Sequence, residues 1–397
     1  MREKKILIAQ GGGPTMVINK SLVGIINQAR KKGFKVLGSY NGVNGIINSK
    51  FFDFTKTSQE KLNLISISPG SALGSTRDKP DNEYCEKILN VLKKNRFEKF
   101  FYIGGNDSSD SLRIISERSK IIGYDLQCIH VPKTIDNDLV LNDHTPGYGS
   151  ASKYVASVYG GINLDINSLP GVYIGVIMGR HAGFLTASSS LLKQKEIDGP
   201  NFIYLPECNF HENDFLSDVE NFYSKHNKCI IAVSEGIHDK NGKLIAEKIN
   251  KIDETDSHGN IQLSGSGSLG DYLSKTIKTK LGIKRVRADT LGYMQRSFLG
   301  CASEIDQREA YLIGVNAVNF SIKKKESFSV SIKERELNSL LPYNFSIKTN
   351  DLKNIAGKTK LMDKLMINKK NNNVTKKFQE YAYPLIGRKL PKFTSII

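Results

Sequence analysis

The chain contains no tryptophan, and among 397 residues only 5 cysteines and 7 histidines. Cys85, Cys128, Cys208, Cys229 and Cys301 are odd in number and far apart, with no C-x-x-C pair. That excludes a disulfide framework and a structural zinc site. No two histidines stand at H-x-x-x-H spacing, which removes the usual helical metal pair. No apolar run reaches the ~18–20 residues of a membrane helix. The opening MREKK runs straight into a strand pattern, without the apolar stretch of a signal peptide. The expected compartment is reducing cytoplasm, with no membrane partner.

What is present is the mix of a globular protein, 39% hydrophobic and 24% charged, in a chain long enough for two domains. The net charge of +17 invites a polyanionic partner. It is unevenly placed, however. Residues 321–397 hold 17 Lys/Arg against 6 Asp/Glu, so this tail carries +11 and everything before it only +6. Basic and aromatic residues are not interleaved as in nucleic-acid binders, and the run Lys323-Lys324-Lys325 reads as a solvated face. A nucleic-acid partner is therefore not expected.

Short apolar runs alternate with helical patterns from the start. Residues 5–9 (KILIA), 35–39, 99–103 (KFFYI), 127–131 (QCIHV), 172–177, 202–205, 229–233 and 284–289 read as strands. Residues 17–31, a stretch from about Ser109, 151–158 and 269–281 read as helices. Near-continuous apolar strands alternating with helices predict parallel sheets covered on both faces, in two α/β halves meeting at a cleft near Ser150. Residues 236–267 read as a loop or hairpin. In the weakly patterned tail, residues 337–343 and 378–385 are candidates to pack back on the body.

Ligands of open parallel sheets bind beyond the carboxyl ends of the strands, and three successive loops there carry phosphate chemistry. Gln10-Gly11-Gly12-Gly13-Pro14-Thr15 lets backbone N–H groups approach an anion at a helix N-terminus. The second strand ends in Ser39-Tyr40-Asn41, without the acidic residue a dinucleotide would want, so NAD is disfavoured. Gly104-Gly105-Asn106-Asp107-Ser108-Ser109 suits phosphate with a divalent cation. Pro132-Lys133-Thr134-Ile135-Asp136-Asn137-Asp138 sets two carboxylates at alternate positions beside a lysine, which fits a general base and a magnesium ligand. Each loop alone also fits an ordinary turn or capped helix start; it is the repetition after successive strands that points to a site.

These loops resemble those of the phosphofructokinase family. So do Gly74-Ser75-Thr76-Arg77, Met178-Gly179-Arg180-His181-Ala182-Gly183, Pro206-Glu207, Ser234-Glu235-Gly236 and residues 287–296 (RADTLGYMQR), all in family order. The likeness covers roughly residues 4–320, with a fainter match at residues 381–386 (YAYPLI). It implies an α/β fold of two Rossmann-like three-layer α/β/α domains with mainly parallel sheets and the active site in the cleft between them. It also implies a phosphoryl-donor domain over residues 1–150, completed by part of 260–310. A fructose 6-phosphate domain would span 151–260, completed by part of 300–340, and residues 321–397 would form a basic extension packing on the body.

The reaction so implied is Mg2+-dependent phosphoryl transfer to the 1-hydroxyl of fructose 6-phosphate, in glycolysis, by a homodimer or homotetramer. Residue by residue, Asp136 matches the family's general base, with Thr134 and Ile135 beside it at the substrate, and Asp138 a carboxylate associated with magnesium. Arg180 matches the arginine that stabilises charge on the transferring group. Met178, Gly179, Glu235, Arg287, Tyr293 and Arg296 match positions at the sugar phosphate, where guanidinium groups suit phosphate. Gly12 and Arg77 match contacts to the donor.

The donor is expected to be pyrophosphate, and the reaction reversible. Pyrophosphate-using members resemble G-G-D-D-S and P-K-T-I-D, and Asp107 and Lys133 are of that kind; ATP-using members resemble G-G-D-G-S and P-G-T-I-D. A carboxylate at Asp107 would occupy and repel where an α-phosphate lies. Tyr293, where ATP-using bacterial members usually have histidine, points the same way. Asn106 stands where the family usually has a magnesium-ligating aspartate, so weaker metal binding is expected. Gly171 replaces an arginine that reaches the neighbouring subunit, with Tyr173 as a substitute. The rival readings are an ATP-dependent member, or a weakened regulatory or nucleic-acid-binding relative.

Overall fold

The computed structural model describes residues 4–78, 81–249, 267–337, 342–390 and 393–394. The expected loop over residues 236–267 lies outside these from residue 250 to 266, as does the middle of 337–343.

Eleven strands build two sheets: β1 (Lys5–Gln10), β2 (Lys35–Ser39), β3 (Phe51–Asp53), β4 (Phe97–Gly104), β5 (Gln127–Pro132), β6 (Val172–Ile177), β7 (Phe202–Tyr204), β8 (Cys229–Ser234), β9 (Val286–Thr290), β10 (Phe328–Ile332) and β11 (Ile347–Asn350). The first sheet runs β11-β10-β5-β4-β1-β2-β3, parallel except at its two edge strands. The second runs β7-β8-β6-β9, all parallel. Burial on both faces explains the unbroken apolar runs. Ile6 and Ile8 of β1 pack under helices Ile18–Lys31 and Glu304–Lys323, while Leu7 and Ala9 pack with helices Asn82–Lys94 and Asn106–Ile121 on the other face. In the second sheet, Val172, Ile174 and Val176 face helix Ser268–Leu281, whereas Tyr173 and Ile177 face helix Tyr148–Ser168.

The two completions expected from the resemblance are exchanged. Helix Ser268–Leu281 and β9 belong to the second sheet, where Val286 pairs with Val172 of β6. Helix Glu304–Lys323 and β10 return to the first, where Phe328 pairs with Ile129 of β5. Motif order says which loops exist, but pairing depends on which strand edge is still open. The tail contributes β10 and β11, and Phe378 and Leu385 are buried as expected.

The return is fixed by close helix packing. A Cβ on Gly24 would sit 2.3 Å from the Tyr311 carbonyl oxygen, and one on Gly314 would sit 2.3 Å from that of Ser21. Gly24→Val should therefore cost ~3 kcal/mol or more, read by urea unfolding. Gly161→Ala, helical with nothing within 4 Å of its Cβ, should be neutral or stabilising by ~0.5–1 kcal/mol.

Candidate active site

The loops after β1, β4 and β5 enclose a cleft of about 270 Å³ that gathers Gly12, Arg77, Asn106, Asp107, Lys133, Thr134, Asp136, Asp138 and Arg296. All were chosen from sequence. Local bonding builds the glycine loop: the Gly12 N–H donates to the Thr76 carbonyl at 2.9 Å, and Ser75 Oγ donates to the Gly12 carbonyl at 2.6 Å. Gly12 has φ +73°, and a Cβ there would lie 3.2 Å from Lys133 Nζ; one on Gly13 would lie 3.0 Å from Arg296 Nε. Glycine is needed because two cations come up against the backbone.

Lys133 is 3% exposed, and its ammonium donates to the Gly13 carbonyl at 2.7 Å. Burial, then the neighbouring Arg296, push its pKa down to about 7, against the pull of Asp136 and Asp138. Burial likewise raises the Asp136 carboxyl, opposed by Arg296, Lys133, His181 and Arg180. Asp138 is raised by burial and by the negative charge of Asp136. A carboxylate raised towards neutrality is the better proton acceptor at working pH. The Asp136 N–H bonds to Thr134 Oγ1 at 3.1 Å, and Thr145 Oγ1 donates to the Thr134 carbonyl at 3.0 Å, so the loop closes on itself.

The helix after β4 starts at Asn106, three residues before the expected start, with Gly105 as its cap. The correction has a simple cause: Asn, Asp and Ser read as loop residues, yet an acidic first turn suits the helix dipole. Asp107 thus sits on that first turn at the mouth of the cleft, exposed. Asn106 Nδ2 donates to Asp138 Oδ2 at 3.0 Å, while Asn106 Oδ1 is buried without a hydrogen-bond partner among the described residues.

Loops of the second sheet lie close to this cleft without lining it. Ser234 Oγ donates to the Gly179 carbonyl at 2.6 Å, and the Glu235 N–H donates to the Ile177 carbonyl at 2.9 Å. The Met178 N–H reaches Gln295 Oε1 at 3.3 Å, tying that loop to the turn that carries Tyr293 and Arg296. The Arg296 guanidinium lies 4.9 Å from the centre of the Tyr293 ring and feels Asp136, Arg77 and Glu235. Arg180 is near enough to act on Asp136.

Some expected residues sit differently. The Ile135 and Met178 side chains lie in the hydrophobic core, so these two residues can meet a ligand only through their backbone. Arg287 is exposed, bonding the Val286 carbonyl at 3.3 Å, and Tyr293 is 49% exposed; neither lines the cleft. Tyr173 is 3% exposed and packed inward, so it is no substitute for an outward-reaching arginine. The five cysteines are free thiols.

Sequence reasoning missed His130. It is fully buried, pairing Nε2 with the Gly104 carbonyl at 2.9 Å and Nδ1 with Ser329 Oγ at 2.7 Å beneath the second loop. Burial pushes its pKa down to about 4, so it is a neutral prop. Its signal was one polar residue inside an apolar strand. A larger cavity, about 770 Å³, lies around Arg335, Tyr343 and Tyr383 and holds none of the residues chosen from sequence.

The chain as a whole is similar to known proteins. A profile of the family described as Phosphofructokinase matches residues 5–321. The "Pyrophosphate--fructose 6-phosphate 1-phosphotransferase" of Rhodospirillum rubrum is 50% identical over 395 residues, covering 98% of this chain and 96% of the relative. The protein of the same name from Xanthomonas campestris pv. campestris is 36% identical over 400 residues, with 98% and 93% covered. The crystal structure of a pyrophosphate-dependent phosphofructokinase from Nitrosospira multiformis matches with a TM-score of 0.86 at 30% identity, over 99% of this chain and 95% of that one. No described helix is long and apolar enough to cross a membrane. With the profile spanning most of its length and relatives matching from end to end, the chain belongs to the phosphofructokinase family.

Proposed function

We propose that the chain transfers a phosphoryl group from pyrophosphate to the 1-hydroxyl of fructose 6-phosphate, reversibly, giving fructose 1,6-bisphosphate and phosphate. The observation that carries the donor assignment is the pair at the cleft, the Lys133 ammonium on its floor and the Asp107 carboxylate at its mouth. At about 270 Å³ the cleft falls just under the ~300–1,000 Å³ of ordinary small-molecule pockets. A compact diphosphate facing the Lys133 ammonium suits a cleft of that size.

Asp136 takes the proton from the attacking hydroxyl, and burial, by raising its pKa, makes it the stronger proton acceptor. Arg180 meets charge on the transferring group from the second sheet, while Lys133, Arg77 and the Gly12 backbone hold the diphosphate. Arg296 lies between the two halves of the site, within reach of Asp136 and Glu235, and suits the substrate phosphate together with Arg287. The Thr134 and Gly179 backbones position the sugar beside it.

Asn106 and Asp138 are the residues that would hold Mg2+. The unpartnered, buried Asn106 Oδ1 and the Asp138 carboxylate beside it are oxygen donors, as that hard cation prefers, and it commonly takes one or two carboxylates plus substrate phosphates. Bound there, Mg2+ would neutralise negative charge on the diphosphate. We place the enzyme in the cytoplasm, in keeping with its free thiols. A homodimer or homotetramer is the proposed assembly, supported by exposed Met294, Phe298 and Leu299 close in sequence to Arg287 and Tyr293.

With Mg2+ and fructose 6-phosphate, kcat/KM should favour pyrophosphate over ATP by about 100-fold or more; greater activity with ATP would refute the donor assignment. Asp107→Gly with Lys133→Gly should cut pyrophosphate turnover by about 100–1,000-fold, the effect of losing a positioned charge contact, and admit ATP. Intact pyrophosphate use in that double variant would contradict the proposal.

Asn106→Asp replaces a hydrogen bond to a carboxylate with a carboxylate–carboxylate contact. The variant should lose ~1.5–3 kcal/mol without metal and gain more from Mg2+ than the parent does. Thermal unfolding with and without Mg2+ checks both.

A further inference from the structure

We propose that the C-terminal segment positions the catalytic loop, with Lys360 and Tyr381 acting on it through Asn137. The inference rests on reading Asp136 as the base.

Asn137 stands between Asp136 and Asp138, fully buried, with φ +59°. A left-handed residue between two carboxylates turns the chain sharply, so its setting fixes how both neighbours point. Such a conformation persists where the surroundings over-determine it, and here they come from more than 200 residues away. Asn137 Nδ2 donates to Tyr381 Oη at 2.7 Å, and its Oδ1 accepts from Lys360 Nζ at 3.2 Å. The Lys360 N–H donates to the Asp138 carbonyl at 2.7 Å, and Leu139 bridges to Thr359.

The far side of the loop is tied by the same two residues. Lys360 Nζ also donates to the carbonyls of Asn142 and Asp143, at 3.0 and 2.9 Å. Tyr381 Oη donates to the Asp143 carbonyl at 2.6 Å. The Lys360 ammonium lies 4.9 Å from the centre of the Phe184 ring. Arg335 anchors the tyrosine in turn, donating to the Tyr381 carbonyl at 3.1 Å and to Asp143 Oδ2 at 2.7 Å. Neither Lys360 nor Tyr381 lines the phosphate cleft. They are positioning residues that hold the loop from behind.

A structural prop and a positioning brace are told apart by what falls. Tyr381→Phe and Lys360→Met should each lower kcat by about 10–100-fold, the effect of misplacing a reacting group by an ångström or less. The KM values for pyrophosphate and fructose 6-phosphate should stay within about threefold. Lys360→Arg, which keeps the charge and donors, should recover part of the loss. Hydrogen exchange across residues 134–143 should quicken in the two damaging variants. Exchange needs no substrate, so it decides the brace even if the parent chain proves not to use pyrophosphate. Unchanged exchange in both variants, or kcat per folded molecule within twofold of the parent, would overturn the proposal.

Discussion

The site is organised around a buried ammonium group. Lys133 enters the floor of the cleft from the end of β5 with almost no solvent, bonded to a backbone carbonyl of the glycine loop. A charge so desolvated is held at a cost, and its neighbours reflect that. Gly12 and Gly13 have no side chains because the ammonium and the Arg296 guanidinium press against them. Asp136 and Asp138 share its field, and their own burial drives their proton affinity up. A phosphate ligand would complete the arrangement by supplying counter-charge to the Lys133 ammonium.

Two sheets place this group opposite its complement. The first supplies the glycine loop, the Asn106 helix start and the Asp136 loop from neighbouring parallel strands, so all three reach the same edge. The second presents Arg180 and Glu235 from loops after β6 and β8, which also lie side by side. Because the chain crosses to the second sheet and returns through β10, the segment beyond the return is carried behind the Asp136 loop. Lys360 and Tyr381 then hold the loop at the turn made by Asn137.

Much of the fold could be read from local pattern. The eight strands read from sequence fall within a few residues of their expected positions, because burial on both faces of a parallel sheet leaves continuous apolar runs, whereas β3, β10 and β11 were not expected. The loops that line the cleft were legible because glycine, carboxylate and lysine recur at strand ends. Pairing was not: nothing in residues 286–290 or 328–332 names a partner strand, which is why the two completions were exchanged. Ile135 shows a second limit. It stands beside Asp136 in sequence, yet its side chain belongs to the core and not the cleft. The role of residues 360 and 381 was hidden for the same reason, since contacts across more than 200 residues leave no periodicity. Within the basic tail, Arg335 and Lys360 point inward and bond to the segment from Asn137 to Asp143.

The central claim is that the buried Lys133 ammonium answers to the diphosphate. Anion binding favours the charged lysine, whose pKa in the free protein is pushed down to about 7. Affinity for magnesium pyrophosphate should thus be greatest below that pH and fall above it by up to about tenfold per pH unit, beyond the change due to the ligand's own titration. Calorimetric binding between pH 6 and 9 (a range set about one to two units around that pKa) in parent and Lys133→Arg, which stays charged throughout, measures this directly. The account predicts that the arginine variant loses the excess pH dependence; identical profiles in the two proteins would contradict it.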